Sequence, residues 1–290
     1  TTESRGLGDV YKRQVLILLK IISTDKFTLN RQLAISGAGL VGALSFSFTD
    51  SFWFNAVEAE VYAMATLIMS ILFYLGLRWE ADMNKPRGNK WLLLICFVIG
   101  LSFGVHFMGL LTIPAIVLIF YFKNQKSIQS SLKINSLNGF LFANILGLLI
   151  LMGIFKLILP YTLKFFSMVE LLFVNNFNLP FNSGSIAAFI IIALSFYYLI
   201  NYSAKKNLVT INTLALCFLF IFIGFSSWLI LPIRSNANVV VNENNPSNAR
   251  ELLAYYNLEQ YPKTYLFYGP LFTDQYSGLC LLYTSDAADE

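Results

Sequence analysis

Residues 50–63 carry acidic side chains, an asparagine and a tryptophan between two long apolar runs. A charged group beside a membrane-spanning run is costly to keep without a use. Aromatic side chains such as Trp53 and Tyr62 prefer the boundary between water and lipid. The stretch therefore predicts a polar patch at one membrane face, leading into a helix. Its carboxylates are of the type that takes up or gives a proton in general acid–base catalysis.

Helical spacing suggests which of these side chains could act together. If residues 55–63 are helical, Asn55, Glu58 and Tyr62 share one face. Glu60 then points roughly the opposite way, so Glu58 and Glu60 are not predicted to form a paired acid and base. The alternative is that both are solvated carboxylates at a helix start, which the helix dipole favours. We take as candidates Glu58 and Glu60 for catalysis, and Trp53, Asn55 and Tyr62 for substrate binding.

His106 is the chain's only histidine and lies among glycines in residues 100–109. It is expected near the same membrane face as Glu58 and is a third candidate catalytic residue. A histidine can titrate near neutral pH, bind a metal or bind phosphate. The alternative is an interfacial histidine bonded to a carbonyl. The surrounding glycines are compatible with a helix break or a close helix contact.

A polar tail begins at Pro232, directly after an apolar run. Arg234 would lie at the membrane surface, where its planar fork matches the oxygens of a lipid phosphate. Asn242 and Glu243, in the turn-forming segment 241–248, are the remaining candidate substrate-binding residues.

Further along the tail, residues 249–261 are predicted as a short helix and residues 265–271 as a strand. The sequence has no glycine-rich phosphate loop, nucleophile elbow or His/Cys metal cluster. We therefore assign no metal ligand and no certain cofactor, and leave dependence on a divalent metal open.

The composition indicates an all-α polytopic membrane protein. The chain is 57% apolar and only 12% charged, with a mean hydropathy of +0.63, and it repeats apolar runs of about 20 residues. About eight spans are expected, the first of them truncated. These are residues 15–22, 32–48, 61–77, 91–122 as two helices turning near 104–109, 138–159, 186–202 and 209–231. One long tilted helix is the alternative for 91–122, and 160–185 is predicted as a loop with a short interfacial helix.

Alternating these spans places twelve Lys and Arg residues on one side and five on the other. The richer side is predicted to be cytoplasmic. It holds the charged loop 78–90 and the basic loop 123–133. Residues 50–60 and the tail 232–279 then lie outside the cytoplasm, and the expected location is a bacterial inner membrane with these polar motifs on the periplasmic side.

The two ends differ in character from the rest. Residues 4–14 resemble the translation of a sequencing adapter, and residues 280–290 resemble the same adapter read at its other end. We therefore leave residues 1–14 and 280–290 out of functional reasoning. Residues 15–231 are expected to form the helix bundle, and residues 232–279 the truncated start of an extracytoplasmic domain.

Several motifs occur in a fixed order: residues 52–63, 100–106, 232–234 with 242–246, and 266–270. Together they resemble a family of bacterial membrane proteins, frequent in Bacteroidetes, long catalogued as a domain of unknown function. That family is similar to protein O-mannosyltransferases. The resemblance covers essentially all of residues 15–279, and the first motif is its most specific part.

The resemblance implies a C-type glycosyltransferase fold. Such an enzyme would move a sugar, mannose or a similar hexose, from a polyprenyl-phosphate carrier to Ser or Thr of exported proteins. The implied catalytic base is an acidic residue in a first loop that would precede Val15, so the base is not assigned here and the fragment is expected to be inactive alone. Glu58, Glu60, His106 and Arg234 would line the donor site.

Two other functional classes stay open. A transporter or flippase would place polar groups near the bilayer midplane, often in broken helices, and only residues 104–109 suggest this. A non-enzymatic membrane scaffold is the third reading. The partners expected for the transferase are the lipid-linked sugar, the exported acceptor protein and the bilayer, with no nucleic acid.

Overall fold

The computed structural model describes residues 28–58, 60–237, 239–262 and 265, and every regular element in those ranges is helical. The α-helices are α1 Leu29–Ser47, α2 Asp50–Val57, α3 Tyr62–Asp82, α4 Asn89–Ser102, α5 Ile113–Lys123, α6 Gln125–Leu132, α7 Ser136–Gly153, α8 Leu159–Leu171, α9 Ser183–Lys205, α10 Val209–Phe225, α11 Ile230–Ser235 and α12 Ala249–Asn257. The predicted span 15–22 lies outside the described residues. So does the predicted strand 265–271, apart from Tyr265.

The described helices confirm an all-α polytopic membrane protein. Four are long and apolar enough to cross a bilayer: Tyr62–Asp82, Ser136–Asn176, Ser183–Lys205 and Val209–Ser235. Two bent pairs raise the number to as many as six in the described part of the chain. Leu29–Ser47 meets Asp50–Val57 at 65°, and Phe107–Lys123 meets Gln125–Leu132 at 82°.

The chain divides into two compact units. Among the described residues, the first comprises those up to Phe140 together with Phe220–Phe225, and the second comprises Leu141–Leu219 and those from Ser226 onward. In the first unit, α3 packs against α4, α5 and the 3-10 turn Phe107–Thr112. The shared core of these elements includes Ala65, Leu72, Ile95, Leu110 and Tyr121, all nearly inaccessible to solvent.

Two glycines bring backbones into contact within the first unit. A Cβ atom built on Gly100 of α4 would lie 2.1 Å from the carbonyl oxygen of Ile221, and one built on Gly224 would lie 2.2 Å from that of Phe97. No larger side chain fits at either position without moving a helix. This reciprocal contact holds α4 against the end of α10, in the way that small residues allow in membranes.

The two-helix interpretation of residues 91–122 is confirmed. Helix α4 ends at Ser102, residues 103–106 turn, and the 3-10 turn Phe107–Thr112 leads into α5. Pro114 lies in the first turn of α5, where its missing N–H is not needed. A single tilted helix over this stretch is therefore excluded.

Two predicted loops are helical instead. The expected loop 160–185 with a short interfacial helix is wrong. The helical segment that begins with α7 continues through α8 as far as Asn176, by way of the π-helical segments Ile154–Ile158 and Leu172–Asn176. The expected basic loop 123–133 is wrong because α6 occupies most of it. In the first stretch, buried residues such as Leu159 and Leu163 favour helix; in the second, Gln125 and Gln129 bond Ser136 and Tyr121.

In the second unit, α8 packs against α9 and against the tail helix α12. The tail helix was predicted over residues 249–261 and is confirmed over Ala249–Asn257. Asn248 caps its start by accepting from the amides of Arg250 and Glu251, and Leu258 ends it in the left-handed conformation.

Candidate functional site

The polar stretch opens with a helix that stops earlier than its spacing suggests. Helix α2 ends at Val57, Glu58 has extended backbone (φ −73°, ψ 153°), and α3 begins at Tyr62. The predicted single face of Asn55, Glu58 and Tyr62 is therefore wrong. β-Branched valines at 57 and 61 weaken the helix on both sides of the break, and Glu58 would meet the negative end of the dipole of α2.

The two glutamates lie in different helical surroundings. Glu58 is exposed and follows the C-terminus of α2, whereas Glu60 is exposed and comes just before Val61, the N-cap of α3. A helix start favours a carboxylate and a helix end does not. The alternative reading of solvated helix-start carboxylates therefore fits Glu60 but not Glu58.

Tyr62 and His106 come together from two separate sequence motifs. Their ring centroids lie 5.6 Å apart, with the ring planes tilted by 56°. Tyr62 opens α3, and His106 is the N-cap of the 3-10 turn Phe107–Thr112. The glycine-rich turn thus places His106 beside Tyr62, which lies two residues after Glu60 in the chain.

The hydrogen bonds of His106 define what its ring offers. Its Nδ1 accepts from the amide of Met108 at 3.1 Å, and its own amide donates to the carbonyl of Ser102 at 2.8 Å. Because Nδ1 is the acceptor, the neutral ring carries its hydrogen on Nε2. The side chain is half-buried and its ring bonds an amide N–H rather than a carbonyl. It therefore offers an N–H donor rather than a free basic nitrogen.

Aromatic rings stack across the bend between α1 and α2. Phe48 and Trp53 lie 5.8 Å apart with nearly parallel rings, and Phe46 and Phe52 lie 4.7 Å apart. Half of the Trp53 side chain remains exposed, so this ring presents an open apolar face. Asn55 is less available, because its Nδ2 donates to the carbonyl of Ser51 in its own helix at 2.7 Å.

The candidate residues of the tail belong to the second unit. Arg234 is exposed in the last turn of α11, and no acidic partner within hydrogen-bonding reach is found among the described residues. Asn242 donates from Nδ2 to the carbonyl of Ser235 at 3.2 Å and to Asn245 Oδ1 at 2.9 Å. These bonds fold the loop that follows Arg234.

Glu243 is also used within this loop. Its Oε1 accepts from the hydroxyl of Tyr261 at 2.9 Å. The loop turns through Asn244 and Asn245, both in the left-handed conformation, which asparagine tolerates better than most residues. Asn242 and Glu243 therefore have structural partners, whereas Arg234 is open to a ligand.

One carboxylate that the sequence reading placed in a loop is buried instead. Glu170, in α8, is only 6% exposed and accepts from the amides of Asn182 and Ser185 at 2.5 and 2.6 Å. It also accepts from the Ser185 hydroxyl at 2.9 Å. A carboxylate at a helix start stabilises the unpaired amides there. The segment Ser183–Gly184–Ser185 before an apolar run is the only sequence signal for such a helix start.

Gly184 makes this arrangement possible, because a Cβ there would lie 2.4 Å from the Cα of Glu170. The bonds of Glu170 are all to the start of α9, so its role is structural. In the described ranges, no group of three His, Cys, Asp or Glu side chains is close enough together to hold a metal ion.

Comparison with known proteins gives one informative result. No curated protein and no solved structure matches the chain. A family model described as the protein O-mannosyl-transferase TMEM260 N-terminal domain matches residues 10–129. This region contains Glu58, Glu60 and His106, so the part of the chain that holds the α2–α3 turn and the Tyr62–His106 contact is similar to an O-mannosyltransferase.

Proposed function

We propose that this protein is a membrane glycosyltransferase that moves a hexose from a polyprenyl-phosphate carrier to Ser or Thr of exported proteins. The observation that carries the proposal is the similarity of residues 10–129 to the N-terminal domain of a protein O-mannosyl-transferase. The Tyr62–His106 contact supports it, because that contact lies in the same region and joins two polar motifs.

The reaction has defined chemical needs. The acceptor hydroxyl oxygen forms a bond to the anomeric carbon while the bond from that carbon to the phosphate oxygen breaks. The hydroxyl proton passes to a carboxylate, and the polyprenyl phosphate leaves with the bonding electrons. A positioned base contributes typically 10²–10⁴-fold to such a step. Hydrogen-bond donors stabilise the charge that develops on the departing group.

The first unit supplies groups of both kinds. Glu58 and Glu60 are the candidate proton acceptors of the described chain. Glu58 is the C-cap of α2, where the helix dipole does not favour a carboxylate. His106 would donate from Nε2 to an oxygen of the donor, since its Nδ1 is already an acceptor. The open face of Trp53 would pack against apolar parts of the lipid-linked sugar.

Arg234 is proposed to bind a phosphate of the lipid carrier. It is exposed at the end of α11, next to an apolar helix, and a guanidinium fork pairs with two phosphate oxygens. Asn242 and Glu243 would act by holding the loop after Arg234. We further propose that these polar segments lie on the periplasmic side of a bacterial inner membrane.

Transport of the lipid-linked sugar is a second candidate function. The two helix pairs bent at 65° and 82° are of the broken type that transporters use at their binding sites. A transporter would move the donor across the bilayer without breaking the sugar–phosphate bond.

The test uses membranes containing the chain extended by its upstream genomic sequence, supplied with radiolabelled polyprenyl-phosphate mannose and a peptide rich in Ser and Thr. The transferase proposal predicts label in the peptide, with a higher donor requirement for Arg234→Ala that Arg234→Lys only partly corrects. Donor movement across sealed vesicles with no labelled peptide would favour the transporter instead.

A further inference from the structure

Basic residues gather at the end of the first unit where α3 and α5 finish. Two contacts join these ends: Lys123 Nζ lies 2.6 Å from Glu80 Oε1, and Asn124 Nδ2 lies 3.2 Å from Met83 Sδ. The turn after α3 and the helix α6 after α5 therefore share one end of the unit. The basic residues on these segments are Arg78, Lys85, Arg87, Lys90, Lys123, Lys126 and Lys133, and we call them the basic end surface.

The acidic residues at this end already have partners. Glu80 pairs with Lys123, and the two oxygens of Asp82 accept from Lys85 Nζ and Trp91 Nε1, both at 2.8 Å. The positive charges of the remaining basic side chains are therefore not neutralised by the acidic residues Glu80 and Asp82. Arg87, Lys126 and Lys133 are exposed, and none forms an ion pair with any residue that the structure describes.

Two of these basic residues adopt a backbone conformation that does not suit them. Arg87 has φ 64° and Lys133 has φ 53°, both in the left-handed region. Glycine or asparagine adopts this conformation at lower cost. Lys133 is the left-handed residue that ends α6, as Leu258 ends α12, and Arg87 lies in the turn after α3. Both turns belong to the same end, and both carry a positive side chain.

The direction of α6 suits a position along a membrane surface. Gln125–Leu132 is bent by 82° from the apolar segment Phe107–Lys123. A short polar helix nearly at right angles to an apolar one fits the interface plane better than the bilayer core. Two bonds hold it there, from Gln129 Nε2 to the Tyr121 hydroxyl at 3.1 Å and from Gln125 Nε2 to Ser136 Oγ at 3.0 Å.

We propose that the basic end surface binds the headgroups of anionic phospholipids. Clusters of Lys and Arg beside spanning helices attract negatively charged lipids, and Arg adds a fork that matches phosphate oxygens. Trp91 lies under Arg78 and Lys90, at 5.0 and 4.9 Å from its ring centre. A tryptophan beside such charges is suited to the headgroup region. This inference does not depend on the proposed transferase activity.

The experiment titrates the detergent-solubilised full chain with short-chain phosphatidylglycerol, phosphatidylcholine or inorganic phosphate, and follows the thermal unfolding temperature. The test variant is Arg87→Gly with Lys133→Asn, which removes two charges while relieving both left-handed positions. Each basic residue near an anionic surface contributes roughly fivefold to binding. The variant should therefore bind phosphatidylglycerol roughly 25-fold more weakly, yet unfold without lipid at no lower temperature than the original chain.

A matched control removes two exposed charges elsewhere, Lys164→Gln with Arg250→Gln, and should keep the original affinity. Added salt should weaken phosphatidylglycerol binding, because exposed charges are screened. Equal stabilisation by phosphatidylcholine, or full affinity in the test variant, would overturn the proposal. If inorganic phosphate reproduces the stabilisation at the same concentration, the surface binds a free anion and the assignment to a lipid is wrong.

Discussion

The hydroxyl of Tyr256 donates to the carbonyl oxygen of Phe155 at a distance of 2.7 Å. Phe155 lies in the π-helical segment Ile154–Ile158, where the amide of Leu159 donates to the carbonyl of Ile154. The next bond of the same register would run from the amide of residue 160 to the carbonyl of Phe155. Residue 160 is a proline, which has no N–H. Tyr256 supplies the missing donor from the tail helix α12. Partial burial of the Tyr256 hydroxyl raises its pKa to about 12.

Removing this hydroxyl should destabilise the second unit. Tyr256→Phe removes one donor from the part-buried Phe155 carbonyl, and losing a typical hydrogen bond costs about 0.5–1.5 kcal/mol. The measurement is the thermal unfolding temperature of the purified chain in detergent. Tyr255→Phe is the control, because Tyr255 contacts Trp228 through its ring. Equal losses for both variants would contradict the assigned hydrogen bond.

A double-mutant cycle checks the role of Pro160 in the same bond. Pro160→Ala restores a backbone N–H, which can then serve the Phe155 carbonyl. Tyr256→Phe should therefore cost less stability in the Pro160→Ala background than in the original chain, and the two effects should not add.

The stability of the chain should also depend on alkaline pH through Tyr256. Because the pKa of Tyr256 rises from 10.0 when unfolded to about 12 when folded, its contribution to the free energy of unfolding should be complete below pH 10. That contribution should be lost as the pH rises through about 12.

Glu170→Gln should lower stability, with any loss of activity following from that. The glutamine amide keeps one acceptor oxygen but turns an NH₂ group toward the amides of Asn182 and Ser185. Losing a hydrogen bond to a charged group costs about 1.5–3 kcal/mol. Unfolding in detergent would measure this, with Glu259→Gln as an exposed control. A Glu170→Gln protein as stable as the control would show that the carboxylate does not hold α9.

Glu58→Gln should lower transferase turnover in membranes of the upstream-extended chain, without lowering stability. The expected loss is roughly 10²–10⁴-fold if Glu58 is the base, and roughly 10²–10³-fold if it acts only electrostatically. Activity should be normalised to folded protein, because a buried glutamate such as Glu170 can reduce activity through folding alone. Full activity of Glu58→Gln with complete loss in Glu60→Gln would transfer the role to the second glutamate.

Full activity in both glutamate variants would remove the α2–α3 turn from the reaction. His106→Gln provides a further comparison, since a glutamine amide can still donate where Nε2 did. It should retain more activity than His106→Leu, which can donate nothing.

Cysteine labelling should place residues 51 and 84 on opposite sides of the membrane. Ser51 lies in α2 and Asn84 in the turn after α3, and both are exposed. An impermeant thiol reagent added from outside should modify Ser51→Cys and not Asn84→Cys, since the basic residues around 78–90 favour the cytoplasm. Labelling of Asn84→Cys alone would reverse the proposed orientation.

Much of the first unit could be predicted from local features of the sequence. Apolar runs of spanning length indicated the membrane class, and the glycines among residues 100–109 indicated the turn after α4. The helix over 55–63 could not be predicted correctly, because the spacing of Asn55, Glu58 and Tyr62 fits a helix whether or not the backbone continues. The break depends on the low helix propensity of the valines at 57 and 61 and on the unfavourable position of the Glu58 carboxylate at the end of α2.

The second unit shows why tertiary contacts were harder to predict. Residues 160–185 read as a loop because they mix aromatic and polar side chains around prolines. Helix persists there because Tyr256 replaces the donor that Pro160 lacks and Glu170 satisfies the start of α9. Both partners are distant in sequence from the groups they serve, and no periodic pattern reports them.

The glycine contact between α4 and α10 also constrains how the protein is made. Helix α4 has 14 residues, fewer than the roughly 20 that cross a bilayer unaided. Gly224 leaves the ribosome roughly 120 residues after Gly100, which takes on the order of ten seconds at usual synthesis rates. During that interval the glycine face of α4 lacks its partner on α10. We expect α3, which is made earlier and packs on α4, to hold this short segment until α10 arrives.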